Sequence, residues 1–202
     1  MTTPDTLIKN GRGVIQPMGS MGSMVRRLTR EESGLSSLEF ALLMPVIVML
    51  FAATLDLGEA LMVNRRINQI ATTTSDIVAQ EPDWTDQQLK TLVDGSTSIL
   101  EPFVTNPAKV QISILNVDSA GKATVGWSYG YNTAALAAGS ASPVTIPKNI
   151  AESGVQIVVT VVNFEMTTTF TSLLSKVTGL SSYQLDSSAL ARPRISNTIT
   201  HK

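Results

Sequence analysis

Phe40–Leu55, FALLMPVIVMLFAATL, is the stretch on which the reading of this chain turns: sixteen consecutive uncharged residues, with Glu39 alone interrupting the apolar run back to Leu35. Written as an α-helix it is roughly 24 Å long at about 1.5 Å per residue. That falls a little short of a hydrocarbon core of roughly 30 Å, so Leu38 and the turn from Leu57 to Val63 have to help span it. Membrane insertion is the expectation. A buried helix of a soluble protein is the competing reading, but sixteen apolar residues without a polar face leave no side for water. A cleaved secretory signal is the other alternative. It fits less well, because Ala52 and Ala53 are followed by TLDLGEALM, in which the apolar pattern continues.

The flanks suggest an orientation. Arg26, Arg27 and Arg30 precede the run and Arg65 and Arg66 follow it, a weak bias toward an N-terminus on the cytoplasmic side. More than a hundred residues follow the segment and only a short Gly- and Met-rich stretch precedes it, which favours the same arrangement. Residues 1–23 contain GSMGSM without periodicity and read as disordered. Met24 followed by VRRLTREESG makes a more compact basic leader, and a natural start there is expected.

The totals narrow the function classes. A chain of 202 residues suits one modest domain with appendages. A net charge of -1 with 15% charged residues gives no broad basic surface for phosphate neutralisation, so nucleic acid is not an expected partner. Cysteine is absent, which excludes disulfides, thiolate catalysis and cysteine-ligated zinc. The mean hydropathy of +0.17 is high for a soluble domain, and much of the excess lies in the apolar run.

Immediately before that run stands Gly34-Leu35-Ser36-Ser37-Leu38-Glu39-Phe40. A glycine lets a backbone enter a narrow protease site without a clashing Cβ, and a carboxylate at the edge of an apolar helix is costly unless it finds a partner or reaches the interface. Further on come Phe40-Ala41-Leu42, Pro45 and then Asp56-Leu57-Gly58. Together these residues resemble the TadE-like minor pilins (pseudopilins) of the bacterial tight-adherence (Tad/Flp) pilus system. The resemblance implies cleavage by a prepilin peptidase between Gly34 and Leu35. It also implies that Glu39, followed by Phe40, pairs with the free N-terminal amine of a neighbouring subunit and sets the register of packed helices. Snorkelling of Glu39 to the interface beside Arg30 is the simpler alternative. Pro45 cannot donate to the carbonyl of Ala41, so a bend is expected there. Asp56 and Glu59 share a helix face near the outer interface and are candidates to meet Arg66 of this or another chain; a solvated helix end is the plainer reading.

Beyond the membrane, Ile67, Ile70, Thr74 and Ile77 are spaced by three, four and three, which continues the helix outward. Thr85 and Gln88 stand at capping-box spacing and open a second helix whose face is Leu89, Leu92, Val93, Ser96, Ile99, Leu100 and Phe103. Strands are expected at Val110–Val117, Ala123–Tyr131 and Val155–Glu165, the first two forming a hairpin across Asp118-Ser119-Ala120-Gly121. Asn132–Asn149, rich in small residues, reads as a long flexible surface loop. Phe170, Leu173, Leu174 and Val177 mark a short helix that Gly179 can end, and Tyr183–Ala191 is extended. Trp127, Tyr129 and Tyr131 recur with period two and share one sheet face. Such a stripe can stack on carbohydrate or another subunit, so Trp127 and Tyr129 are candidate partner contacts, but covering the core beneath the amphipathic helix carries more weight. Trp127-Ser128-Tyr129, the strand from Val155 and Ala191-Arg192-Pro193-Arg194 extend the resemblance loosely, over residues 26 to 198.

The expected fold is therefore α+β: a long N-terminal transmembrane helix extending outward, then a small pilin-like domain with an amphipathic helix on an antiparallel sheet. Its parts are a basic leader at 1–34, the membrane helix at 35–63, its extension at 64–81, the outer domain at 82–195 and a tail at 196–202. The only histidine, His201, sits at the end of the tail, and no Walker loop, nucleophile elbow or H-E-x-x-H motif is present. No catalytic, metal or cofactor site is expected. The expected role is assembly of an adhesive pilus at the bacterial inner membrane, with the lipid bilayer, a prepilin peptidase, other minor pilins or the major pilin, and the assembly platform as partners. An uncleaved, signal-anchored periplasmic binding or scaffold domain is the alternative.

Overall fold

The computed structural model describes residues 32–102, 107–168, 170–171, 175–176, 179 and 181–202. The leader with Arg26, Arg27 and Arg30 lies outside the described residues, as do Phe103, Leu173, Leu174 and Val177. The chain divides into two units, Met1–Leu50 and Phe51–Lys202. Helix α1 (Glu32–Val78) is a single run of 47 residues, and Pro45 lies inside it without ending it.

Within the first unit, every described residue from Gly34 to Leu50 is exposed, on all sides of the helix. Apolar side chains as large as Leu42 (76% exposed) and Phe51 (63% exposed), at the start of the next unit, stand open among the described residues. A helix this long, with apolar side chains exposed on every side, is suited to hydrocarbon.

The second unit is an α+β domain. After α1 come β1 (Asp83–Trp84), α2 (Asp86–Thr97), a 3₁₀ turn at Ser98–Leu100, and then strands β2 (Lys109–Val117), β3 (Ala123–Tyr131), β4 (Gln156–Met166), β5 (Tyr183–Ala191) and β6 (Thr200–His201). The main sheet has the order β3-β2-β4-β5 and all its pairs are antiparallel.

The core is built on one ridge of α1. Ala60, Val63, Ile67, Ile70, Ala71, Thr74 and Val78 recur at helical spacing and are buried. They meet Leu89, Val93 and Leu100 from the α2 region, Val110, Ile112 and Ile114 of β2, and Val158, Val162 and Phe164 of β4. Full burial of a side chain such as Ile67 or Ile70 stabilises the fold by about 1.5–3 kcal/mol relative to exposure. The α2 capping box forms as its spacing predicts, with the Thr85 N–H donating to Gln88 Oε1 at 3.0 Å and the Gln88 N–H to Thr85 Oγ1 at 3.4 Å.

The far face of the sheet differs from the sequence reading. Leu115, Val117, Val125, Ile157 and Val159 form a second buried cluster, and Leu136, Val144, Ile146 and Ile150 pack against it. The Asn132–Asn149 stretch is thus a cover for this face and not only a surface loop, because a sheet with apolar residues on both faces must have both shielded. Ser140 and Ala141 also pair with the outer edge of β3, with the Val125 N–H donating to Ser140 O at 2.9 Å.

Two glycines make this possible. Ile114 pairs with Trp127 and Leu115 with Val125, so Gly126 is an extra residue, a bulge that lets two odd-numbered side chains face opposite ways. At Gly130 a Cβ would stand 2.3 Å from the Thr133 carbonyl oxygen and 2.8 Å from the backbone of Ala134 and Ala135. The returning loop occupies the space of the missing side chain. The turn at Asp118–Gly121 forms as expected, with Asp118 Oδ1 accepting from the N–H groups of Ala120 and Lys122 and Gly121 at φ +76°. Gly179, at φ +73°, donates its N–H to Ser175 O at 2.9 Å; most of the helix it is expected to end lies outside the described residues.

Gly130→Ala should destabilise the second unit by about 1–3 kcal/mol, since the atoms in its way are backbone. Gly95→Ala, on the exposed side of α2 with open space around it, should stabilise by up to about 1 kcal/mol. Denaturant titration of the full chain in detergent, followed by tryptophan fluorescence, measures both. Equal midpoints for the two variants would exclude this packing of the loop on β3.

Candidate functional site: the apolar helix and its base

Gly34, Leu35, Glu39 and Phe40 all lie on α1 and are exposed, Leu35 and Phe40 at 62% each. A Cβ on Gly34 would meet nothing within 4 Å. Glycine inside a helix costs roughly 0.5–1 kcal/mol relative to alanine, and no packing among the described residues requires it at Gly34.

The base of the helix is arranged differently. Asp56 is 5% exposed, and its Oδ2 accepts hydrogen bonds from Thr168 Oγ1 at 2.6 Å and Thr171 Oγ1 at 2.8 Å. The Thr171 N–H donates to Thr168 Oγ1 at 3.0 Å, a capping arrangement that holds the first hydroxyl in place. Two charge-assisted hydrogen bonds satisfy a carboxylate that the fold has taken out of water. Glu59 is half-buried one turn on. Arg66 donates from Nη1 to the carbonyls of Ile99 at 2.6 Å and Glu101 at 2.7 Å. Asp56 is thus tied to Thr168 and Thr171, and Arg66 reaches the end of the 3₁₀ turn. No local pattern announces the threonine partners, which lie more than a hundred residues away in a Thr-rich stretch.

Trp127, Tyr129 and Tyr131 share the helix-facing side of β3 and are half-buried against the main core. Trp127 Nε1 donates to Ile199 O at 2.9 Å, and its ring stacks on His201 with centroids 5.0 Å apart. Tyr131 Oη donates to Asp94 Oδ1 at 2.6 Å. The stripe is thus packed under α2 and the C-terminal strand, the plainer of its two readings. Residues 196–202, read from sequence as a tail, return to the domain. Thr200 and His201 pair in parallel with Asp83 and Trp84, Lys202 Nζ bonds Asp83 Oδ2 at 2.7 Å, and Thr200 Oγ1 donates to Asp83 Oδ1. His201 Nε2 lies 2.9 Å from Asp86 Oδ1. Among the described residues no three His, Asp or Glu side chains converge as a metal site.

The electrostatic ties are on the surface. The hydrogen bond from Lys90 holds the Asp94 carboxyl below its usual range, with the Tyr131 hydroxyl adding to the effect, and the Asp94 bond raises Tyr131 above the usual phenol value. The hydrogen bond from Lys202 lowers Asp83 in the same way, with help from Thr200.

One long helix suited to lipid, followed in the chain by an α+β unit, fits a membrane-anchored protein. Residues 34–75 match the family model described as TadE-like protein, and the chain is accordingly consistent with a TadE-like protein of the Tad pilus system. The match starts at Gly34 and takes in Glu39, Phe40, Asp56, Glu59 and Arg66; Trp127 and Tyr129 lie beyond it. No curated protein and no solved structure matches the chain. The TadE-like family is pilus-associated and is not a family of enzymes.

The Asp94 ties have a pH signature. A depressed carboxyl contributes stability above its unfolded value, lost as pH falls through the folded value; the raised Tyr131 contributes below its unfolded value, lost as pH climbs through the folded one. The attachment of α2 to β3 should therefore loosen at both acid and strongly alkaline pH. Carboxyl-carbon NMR should find the Asp94 midpoint moved upward in Tyr131→Phe; an unmoved midpoint would mean that the hydroxyl does not donate to it.

Proposed function

We propose that this chain is a minor pilin, or pseudopilin, that takes part in assembling a Tad/Flp-type pilus for surface adhesion. A prepilin peptidase removes the leader after Gly34, at the cytoplasmic face of the bacterial inner membrane. The new N-terminus at Leu35 begins the membrane helix, and the second unit stands on the periplasmic side. Glu39 then pairs with the N-terminal amine of a neighbouring pilin, neutralising two desolvated charges and fixing the axial register of adjoining helices. The other partners are fellow pilins and the assembly platform.

The observation that carries this reading is the conjunction at the head of α1. A glycine with no packing role and an exposed carboxylate five residues later stand at the start of the matched segment, where an exposed apolar helix begins. Among the described residues neither packs against another part of the chain, so a peptidase and a second subunit are the natural readers. The Trp127 stripe gives the alternative binding-module reading less support, because its indole N–H and ring are both engaged within the chain.

N-terminal peptide mass spectrometry on the protein from cells that make the peptidase should find Leu35 as the first residue. Residues upstream of Gly34 retained under those conditions would favour an uncleaved signal anchor. Glu39→Ala should still be cut at the same bond yet be lost from assembled pili, since removing one partner of a desolvated ion pair costs about 3–5 kcal/mol. Undiminished recovery of the variant in sheared pili would separate Glu39 from assembly.

A further inference from the structure

We propose that the turn carrying Thr168, Phe170 and Thr171 enters the bilayer interface beside α1, so that the folded unit stands in the membrane on a second foot of its own. The inference rests on the membrane reading of α1 and adds a lipid contact that the helix alone does not imply.

The apolar surface of α1 does not stop at Leu55. Leu57 is 59% exposed, Leu61 61% and Met62 51%, and they continue the apolar run on the side away from the core. From Phe40 to Met62 the helix covers roughly 34 Å at about 1.5 Å per residue, close to a hydrocarbon core of roughly 30 Å, which Phe40–Leu55 alone does not fill. Half-buried Glu59 and exposed Arg65 place the headgroup region at this end of the run. Asp56 therefore sits at or just inside the hydrocarbon edge, a level where a lone carboxylate is costly.

On the opposite side, Ala52, Asp56 and Ala60 form an i, i+4 ridge that the chain covers, with exposures of 3%, 5% and 8%. The cover at Asp56 comes from the two threonine hydroxyls at 2.6 and 2.8 Å. Groups at those distances share the depth of the carboxylate they bind. Thr168 and Thr171 are themselves buried, Phe170 between them is half-buried, and Lys176 beyond them is exposed. The arrangement suits an interfacial element: hydroxyls turned to the helix, an aromatic ring at the acyl boundary and a cation among phosphates. The occupant of the outward surface of Leu57, Leu61 and Met62 is lipid, since those side chains continue the apolar surface of the span, and Phe170, half-buried between the two threonines on Asp56, lies at the same level.

The absence of cysteine makes the full chain a ready background for single labels. An environment-sensitive fluorophore is placed by Phe170→Cys, Leu61→Cys, Ile47→Cys and Ser119→Cys, one at a time. Each protein is reconstituted in phosphatidylethanolamine–phosphatidylglycerol vesicles. The labels at 170 and 61 should be quenched most by nitroxide carried high on the acyl chain, and shielded severalfold from aqueous iodide relative to the exposed turn at 119. The label at 47 should respond best to deep nitroxide. Asp56→Leu should raise iodide access at 170 severalfold and leave 47 unchanged. A label at 170 as open to iodide as the one at 119, with 47 still protected, overturns this proposal alone. An unprotected label at 47 overturns the membrane reading, and this inference with it.

Discussion

The packing of one helical ridge, Ala60 to Val78, onto the four-stranded sheet is the contact from which the second unit is organised. Val63, Ile67, Ile70 and Val78 are wholly buried there, and each later element is placed by what it adds to that surface. α2 brings Leu89 and Val93 alongside, with Thr74 Oγ1 donating to Ser96 Oγ at 3.3 Å between the helices. The sheet closes the other side, and its edge strand β5 is tied to α1 by Ser75 Oγ to Ala189 O and Ser187 Oγ to Asn68 Oδ1. The end of α1 is finished by the same neighbours, since the Val78 and Ala79 carbonyls accept from Trp84 Nε1 and the Arg194 N–H. A weakened ridge would therefore loosen the helix end, the sheet edge and the C-terminal strand together.

Hydroxyls do much of the polar work around this helix. Ser75, Thr74, Thr168 and Thr171 each satisfy or meet a buried group at little cost in volume. A short side chain with one donor and two lone pairs lets helices and strands approach closely where a charged pair would carry a desolvation cost. The surface ion pairs, such as Lys90 with Asp94 and Arg192 with Glu152, are exposed and screened, and belong to specificity of contact more than to stability.

What the sequence could disclose follows from the range of each interaction. The apolar run, the capping box at Thr85 and Gln88 and the hairpin turn at Asp118–Gly121 are local patterns, and all three appear where the spacing puts them. The strand ranges and the helix-facing placement of Trp127, Tyr129 and Tyr131 were likewise legible from period-two alternation. The Gly126 bulge, the loop cover over the far sheet face, the return of the C-terminus to Asp83 and the Asp56 contacts were not. Each depends on residues far apart in the chain: Thr168 is 112 positions from Asp56, and Trp127 is 72 from Ile199. Small residues in the loop read as flexibility because Leu136, Val144, Ile146 and Ile150 are too widely spaced to announce a shared face.

The matched segment itself holds two kinds of residue. Up to Leu50 the side chains are exposed all round, whereas from Ala52 to Ser75 one face is buried within the chain. A similarity spanning both therefore reflects more than a stretch suited to lipid, since an anchor alone would not need the Ala60–Ile70 ridge or a buried Asp56. It describes a helix that is anchor along one part of its length and core along the other. Along the second part the sheet and α2 already occupy one face, and only the other is open. Glu39 lies exposed in the first part, whereas Asp56 lies buried in the second, where Thr168 and Thr171 already donate to it.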